Sequence, residues 1–101
     1  MATQIDKSNN GRELAISGEL TIYGVAGVKQ ELWQVLTQHD EVEVDLAAVD
    51  EIDTAGLQLL LMAKRVPGRQ VRFINHSPAV LQLIELSNVV LGDPLVISGR
   101  G

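Results

Sequence analysis

Residues 41–65 read EVEVDLAAVDEIDTAGLQLLLMAKR and predict, in order, a strand, a connection and a helix. Acidic and aliphatic residues alternate strictly over residues 41–46, which is the pattern of a strand with one buried face. The residues predicted to point inward are Val42, Val44 and Leu46. After a link over residues 47–52, the run at 57–65 consists of strong helix formers and ends with two cations, which the negative end of a helix dipole favours.

The residues before this stretch predict a β-hairpin followed by a helix. Residues 4–6 form a short strand candidate, and the turn-forming pair Asn10 and Gly11 leads into residues 12–22, where aliphatic and polar residues alternate. From Gly24 the apolar spacing changes to three and four residues, which predicts an amphipathic helix that ends near residues 39–40. Its apolar stripe consists of Val25, Val28, Leu32, Val35 and Leu36.

The residues after it predict a second strand–helix unit. Residues 71–74 form a short strand, and Ser77 and Pro78 supply the N-cap and the first residue of a third helix, which we expect to end near Ser87. The aliphatic residues of this helix are numerous enough to bury more than one stripe. They are Val80, Leu81, Leu83, Ile84 and Leu86. A turn at residues 92–94 precedes a last apolar piece at 95–97, a candidate final strand.

This order of elements predicts an α/β domain on a mainly parallel central sheet of about four to five strands with helices packed on it, because strand–helix–strand units require crossovers. The 101 residues fit a single domain over residues 1–101, with its core at about 12–95. Hydrophobic residues make up 46% of the chain and aromatic residues 3%, so we predict an aliphatic core. The low aromatic content argues against stacking on single-stranded nucleic acid.

The charge and the cysteine content exclude further classes of function. Eight Lys and Arg against 13 Asp and Glu give a net charge of −5, which disfavours nucleic acid and anionic membranes as partners. The absence of Cys excludes disulfides, a thiolate nucleophile and a thiolate metal site. No apolar run approaches the roughly 18 residues of a membrane span, and residues 1–11 do not resemble a leader, so we expect a soluble cytoplasmic protein.

The acidic residues are concentrated in one part of the chain. Seven of the 13 lie within residues 40–53, namely Asp40, Glu41, Glu43, Asp45, Asp50, Glu51 and Asp53. Their spacing matches no calcium loop and two point outward along a strand, so we interpret them as solvated and predict no metal site. His39 and His76 have no partner for a catalytic triad nearby in sequence, and the sequence contains no recognisable cofactor-binding loop. We therefore expect neither an enzyme nor a bound cofactor.

Thr54 lies at the predicted start of the second helix and has two interpretations. In the first, its hydroxyl or the carboxylate of Asp53 caps free N–H groups at the helix start. In the second, the hydroxyl is a phosphoacceptor, because a phosphate there would meet the positive end of the helix dipole. Such a phosphate would also lie beside Asp50, Glu51 and Asp53 and would weaken an existing contact with an acidic partner.

Residues 18–20, 42–57, 75–80 and 83–86 together resemble a STAS domain, the family named after sulphate transporters and anti-sigma factor antagonists. Its most specific piece is DTAGL at 53–57. The resemblance implies a non-enzymatic bacterial signalling module that binds a serine/threonine kinase-type ATPase and is phosphorylated at Thr54. The partner-binding residues that it implies are Asp53, Ala55, Gly56, Leu57, Gln58 and Thr21.

The resemblance also implies a mechanism and leaves an alternative. In similar anti-sigma antagonists, the unphosphorylated form sequesters the kinase and frees a sigma factor, phosphorylation breaks the complex, and a phosphatase restores it. This chain departs from regulated members at two places: Thr21 replaces an aspartate, and Thr54 replaces the commoner serine. The alternative is a non-phosphorylated STAS subunit that stabilises a lipid-transport ATPase or serves a chemotaxis-type signalling complex.

Overall fold

The computed structural model describes residues 3–87 and contains one four-stranded sheet with three helices. The elements are β1 (Gln4–Lys7), β2 (Glu13–Leu20), α1 (Val25–Leu36), β3 (Glu41–Ile52), α2 (Thr54–Lys64), β4 (Gln70–Ile74) and α3 (Pro78–Ser87). The strand order is β1-β2-β3-β4, with β1 antiparallel to β2 and the other two pairs parallel. The predicted α/β architecture is confirmed, and the predicted strand at 95–97 lies outside the described residues.

The β1–β2 hairpin turns at the predicted pair. The side-chain oxygen of Asn10 accepts a hydrogen bond from the N–H of Arg12 at 2.9 Å. Gly11 has φ +79°, a backbone conformation that residues with a Cβ rarely adopt. The turn places β1 at one edge of the sheet, beside α1.

The core lies between the sheet and the helices. The predicted inward residues Val42, Val44 and Leu46 of β3 are at most 3% exposed. They pack in one cluster with the buried stripe of α1, which consists of Val28, Leu32, Val35 and Leu36. Because β2, β3 and β4 follow one another in the sheet through helical crossovers, α1 and α2 cover the same face and contact each other.

The predicted link over residues 47–52 is wrong, since these residues continue β3. The pairing of β3 with β2 slips by one residue between Asp45, opposite Ala15, and Ala48, opposite Ser17. Such a bulge interrupts the alternation of burial without ending the strand. Asp45 stabilises it, because its carboxylate accepts hydrogen bonds from the N–H of Ala47 at 2.8 Å and from the side chain of Asn75 at 3.1 Å.

The helices differ from prediction in their ends and burial. Helix α1 stops at Leu36 rather than near residues 39–40, and Arg69 donates to the Leu36 carbonyl there, whereas α2 begins at Thr54 as predicted. The expectation that α3 buries more than one stripe is wrong for the described residues. Val80 is buried, whereas Leu81 and Leu86 are 46% and 76% exposed. Among the described elements, α3 packs mainly against β3. Because one packing partner can cover only one side of a helix, a single apolar stripe of α3 is buried.

Candidate functional site

The N-terminus of α2 is fixed by the side chain of Asp53, its N-cap residue. One carboxylate oxygen of Asp53 accepts from the N–H of Gly56 at 3.0 Å, and the other accepts from the N–H of Ile22 at 3.0 Å. The first bond caps the helix, and the second ties the loop between β2 and α1 to the start of α2. A single side chain therefore sets the relative position of two segments far apart in sequence.

The electrostatics of Asp53 favour its charged form. Partial burial by itself raises the pKa of the Asp53 carboxyl, but hydrogen bonds from the backbone N–H groups of Ile22, Gly56 and Ala55 together outweigh it. The net result is a pKa below the usual value for aspartate. Asp53 is thus a permanently charged carboxylate beside Thr54 at neutral pH.

Gly56 and Leu57 support the site from beneath. A Cβ at Gly56 would overlap the carbonyl oxygen of Leu20 and lie 2.9 Å from a side-chain carbon of Ile52. Glycine is therefore the residue that lets α2 approach the ends of β2 and β3 this closely. Leu57 is 3% exposed and belongs to the core. Both predicted residues are buried, so they support the surface at the start of α2 but contribute almost no exposed area to it.

The remaining predicted residues lie at or near the surface. Thr54 is exposed and is the first residue of α2, and Gln58 is exposed one helical turn later. Ala55 is half-buried. Thr21 is half-buried in the loop before α1, where its carbonyl accepts from the N–H groups of Gly24 and Val25. The fold therefore brings Thr21 to the same end of the sheet as Thr54.

Two exposed apolar residues lie on the segments that carry or adjoin Thr54, and sequence reasoning missed them. Ile22 is 63% exposed in the loop that Asp53 holds, and Met62 is 46% exposed two turns after Thr54 on the same face of α2. Together they form a surface that we call the Thr54 face, made of Ile22, Asp53, Thr54, Gln58 and Met62. The eight-residue spacing from Thr54 to Met62, about two helical turns, could have indicated that both lie on one face of α2. Nothing in the sequence placed Ile22 beside Asp53.

The seven clustered acids separate along β3. Asp40 and Glu43, at its amino end, lie 3.4 Å from Arg69 and 3.6 Å from Arg72, while Asp50 is exposed near its other end. Within residues 3–87, no group of three or more His, Cys, Asp or Glu side chains is placed to hold a metal ion. None of the helices in the same range has the length and apolar content needed to cross a membrane.

Comparisons with known proteins place this geometry in context. A family model described as Mlab, STAS domain matches residues 3–92. An anti-sigma factor antagonist from Mycobacterium paratuberculosis superposes with a TM-score of 0.68 at 20% identity, over 86% of this chain and 77% of that one. The unphosphorylated form of the anti-sigma factor antagonist SpoIIAA gives 0.62 at 21% identity, over 87% and 82%. At these identities the structures show the shared fold. No curated protein sequence gives a significant match.

Proposed function

The chain belongs to the STAS domain family, and from this membership we propose that it is a phospho-switchable protein-binding module of bacterial signalling. Its partner is a serine/threonine kinase-type ATPase of the cytoplasm, and its phosphoacceptor is Thr54. The module acts by docking and not as an enzyme. The observation that carries this proposal is the exposed hydroxyl of Thr54 at the first position of α2, within a surface that also presents Ile22 and Met62.

The apolar part of the Thr54 face supports binding of a protein partner. Ile22 and Met62 expose side chains that water solvates poorly, and burying them under a partner would favour association. Asp53 and Gln58 add polar groups between them. This combination of apolar anchors around a hydroxyl is suited to a contact that closes directly over Thr54.

A phosphate on Thr54 would weaken such a contact for two reasons. It adds about 1.5–2 negative charges that a partner must desolvate when it covers the residue. Asp53 already occupies the N–H of Gly56, so the phosphate competes with a carboxylate for the helix start and is repelled by it. The exposed Asp50 and Glu51 increase the negative charge nearby. Phosphorylation is therefore expected to release the partner.

The test is to incubate the protein with ATP and each kinase-type ATPase of this class from the same organism, and then to map the phosphate by mass spectrometry. We expect phosphate on Thr54 and none on Thr37, a second exposed threonine. Thr54→Ala should block the modification and keep partner binding, whereas Thr54→Glu should weaken binding at unchanged fold stability, because helix starts tolerate acids. An unmodified Thr54 in the presence of a kinase that phosphorylates another substrate would refute the switch.

A second candidate is an unmodified subunit that stabilises a transport ATPase through the same Thr54 face. Thr21 favours it, because this half-buried position has no carboxylate to contribute to kinase recognition. This candidate predicts a complex that survives incubation with ATP while Thr54 stays unmodified. Size-exclusion chromatography of the purified complex before and after ATP separates the two candidates, since the switch predicts dissociation.

A further inference from the structure

A groove of about 500 Å³ lies between β1 and the N-terminal half of α1, outside the Thr54 face. The residues that shape it are Ile5 and Asp6 from β1 and Gly24, Gly27, Val28 and Glu31 from α1 and its N-cap. Gly27 and Val28 are each three or four residues from both Gly24 and Glu31, so these four positions lie along one side of the helix. Two of the four positions on that face carry no side chain.

Gly27 keeps the groove open and has no steric reason to be glycine. A Cβ built at this position meets no atom within 4 Å, in contrast to the crowded Gly56. Glycine inside a helix is less favourable than alanine. The fold therefore loses stability at Gly27 without relieving any clash. A residue that is unfavourable in its secondary structure, and that no close contact requires, is a candidate for a binding role.

The groove combines an apolar floor with an acidic rim. Val28 belongs to the core and Ile5 packs against it, so an aliphatic group entering above Gly27 would contact both. Asp6 and Glu31 line the sides, and no Lys or Arg is among the described lining residues. Lys7 forms an ion pair with Glu31 at 3.3 Å beside the groove, which compensates part of the negative charge of the rim, so Asp6 is the rim acid that a cation of the occupant would meet. A complementary occupant is a chain segment that carries an aliphatic side chain flanked by cations.

The groove also adjoins the Thr54 face. Tyr23, which is 97% exposed, lines the groove, and its neighbour Ile22 is held by the carboxylate of Asp53. We propose that this groove is a second docking site, which takes a short extended segment of the partner with an aliphatic side chain next to Lys or Arg. The inference rests on the proposed function in one respect, namely that one partner reaches both surfaces.

The test uses short peptides selected from a random displayed library against the full chain. The selected peptides should be enriched in aliphatic residues next to Lys or Arg. Their affinities are then measured by fluorescence anisotropy on variants of the groove. Gly27→Leu fills the groove, and Gln30→Leu adds the same side chain at an exposed position of α1 that does not line it. Asp6→Lys replaces a negative charge on the rim of the groove with a positive one. Glu41→Lys makes the same reversal of charge at an exposed position that does not line the groove.

The expected result is a loss of about tenfold or more in peptide affinity for Gly27→Leu and Asp6→Lys, with both controls close to the unsubstituted protein. The inference would be overturned if no binding peptides are selected. It would also be overturned if the selected peptides bind both groove variants as tightly as the unsubstituted protein. Thr54→Glu separates it from the proposed function, because this variant should lose the partner and keep the peptides. Thermal melting of Gly27→Leu should show a fold at least as stable as before, because a Cβ at this position meets no atom within 4 Å and leucine is a better helix former than glycine.

Discussion

Asp53 connects local helix chemistry to the shape of the Thr54 face. Its two oxygens hold the N–H groups of Gly56 and Ile22, so one carboxylate caps α2 and positions an exposed apolar residue. A capping residue that served only its own helix would not hold the N–H of Ile22 in the loop before α1. Under the proposed function, stability and partner binding would therefore depend on the same side chain.

The first prediction concerns Asp53→Ala. Loss of the cap and of the bond to Ile22 should lower the free energy of unfolding by about 1–2 kcal/mol. Urea unfolding measures it, with Asp50→Ala as the control because Asp50 is an exposed aspartate of β3. An equal effect of both substitutions would contradict the role assigned to Asp53.

The second prediction is the pH dependence of that difference. The folded-state pKa of Asp53 lies below its unfolded value of about 3.9, so its stabilisation is complete above the unfolded pKa and is lost as pH falls through the folded pKa. The gap in unfolding free energy between the unsubstituted protein and Asp53→Ala should thus be largest near neutral pH and shrink in acid. Urea titrations at several pH values measure it. A gap that grows on acidification would show that the carboxylate is not the stabilising form.

The third prediction contrasts two glycines. Gly56→Ala should destabilise the fold by about 1–3 kcal/mol, because its Cβ overlaps the backbone of Leu20 and forces α2 away from β2. Gly27→Ala places the same Cβ in open space and should stabilise the fold by about 0.5–1 kcal/mol. Thermal or urea unfolding decides between these signs, and the same sign for both variants would contradict the geometry.

At the scale of elements, α2 has two faces with separate tasks. Leu57, Leu60 and Ala63 are buried and belong to the core. Thr54, Gln58 and Met62 follow one another at four-residue spacing on the opposite, exposed side. Substitutions on the exposed side should therefore change binding without changing the fold.

The fourth prediction tests this division with two side chains of equal exposure. Met62 on α2 and Leu81 on α3 are both 46% exposed, but Met62 belongs to the Thr54 face and Leu81 does not. Met62→Ala should raise the dissociation constant of the partner about tenfold, whereas Leu81→Ala should leave it unchanged. Calorimetric titration of the partner measures both. Equal losses would show that exposure alone, and not position, sets the effect.

At the scale of the whole molecule, one hydrophobic cluster joins the elements. Its buried members come from β2, β3, β4 and all three helices, for example Leu14, Val44, Phe73, Leu32, Leu60 and Val80. Trp33, the only tryptophan of the chain, is partly buried and packs against this cluster. A perturbation of any element is thus transmitted to a shared core.

The fifth prediction follows from this shared core. Urea unfolding followed by Trp33 fluorescence and by far-ultraviolet circular dichroism should give coincident transitions, because the buried residues described in the sheet and the three helices belong to one cluster. The ratio of the two normalised signals is the measurement. A helical signal that persists after Trp33 is fully exposed would show two independently stable parts.

Several features of the site were predictable from the sequence because they are local. Asp53 before a helix-forming run indicates an N-cap, and the first helical position next to it is Thr54, whatever the rest of the chain does. The second bond of Asp53 was not predictable, because Ile22 lies 31 residues away and meets it only when β2 and β3 pair. The same holds for the groove, which requires β1 to lie beside α1.

The sequence by itself determined the order of the elements and the α/β class, since alternation and three-to-four spacing are properties of consecutive residues. Only the tertiary structure decided that β3 runs through a bulge to Ile52, that α3 buries mainly Val80, and that the loop with the exposed Ile22 lies beside Asp53. Burial and proximity depend on what packs against each residue. Packing partners that are distant along the chain leave no periodic signal in it.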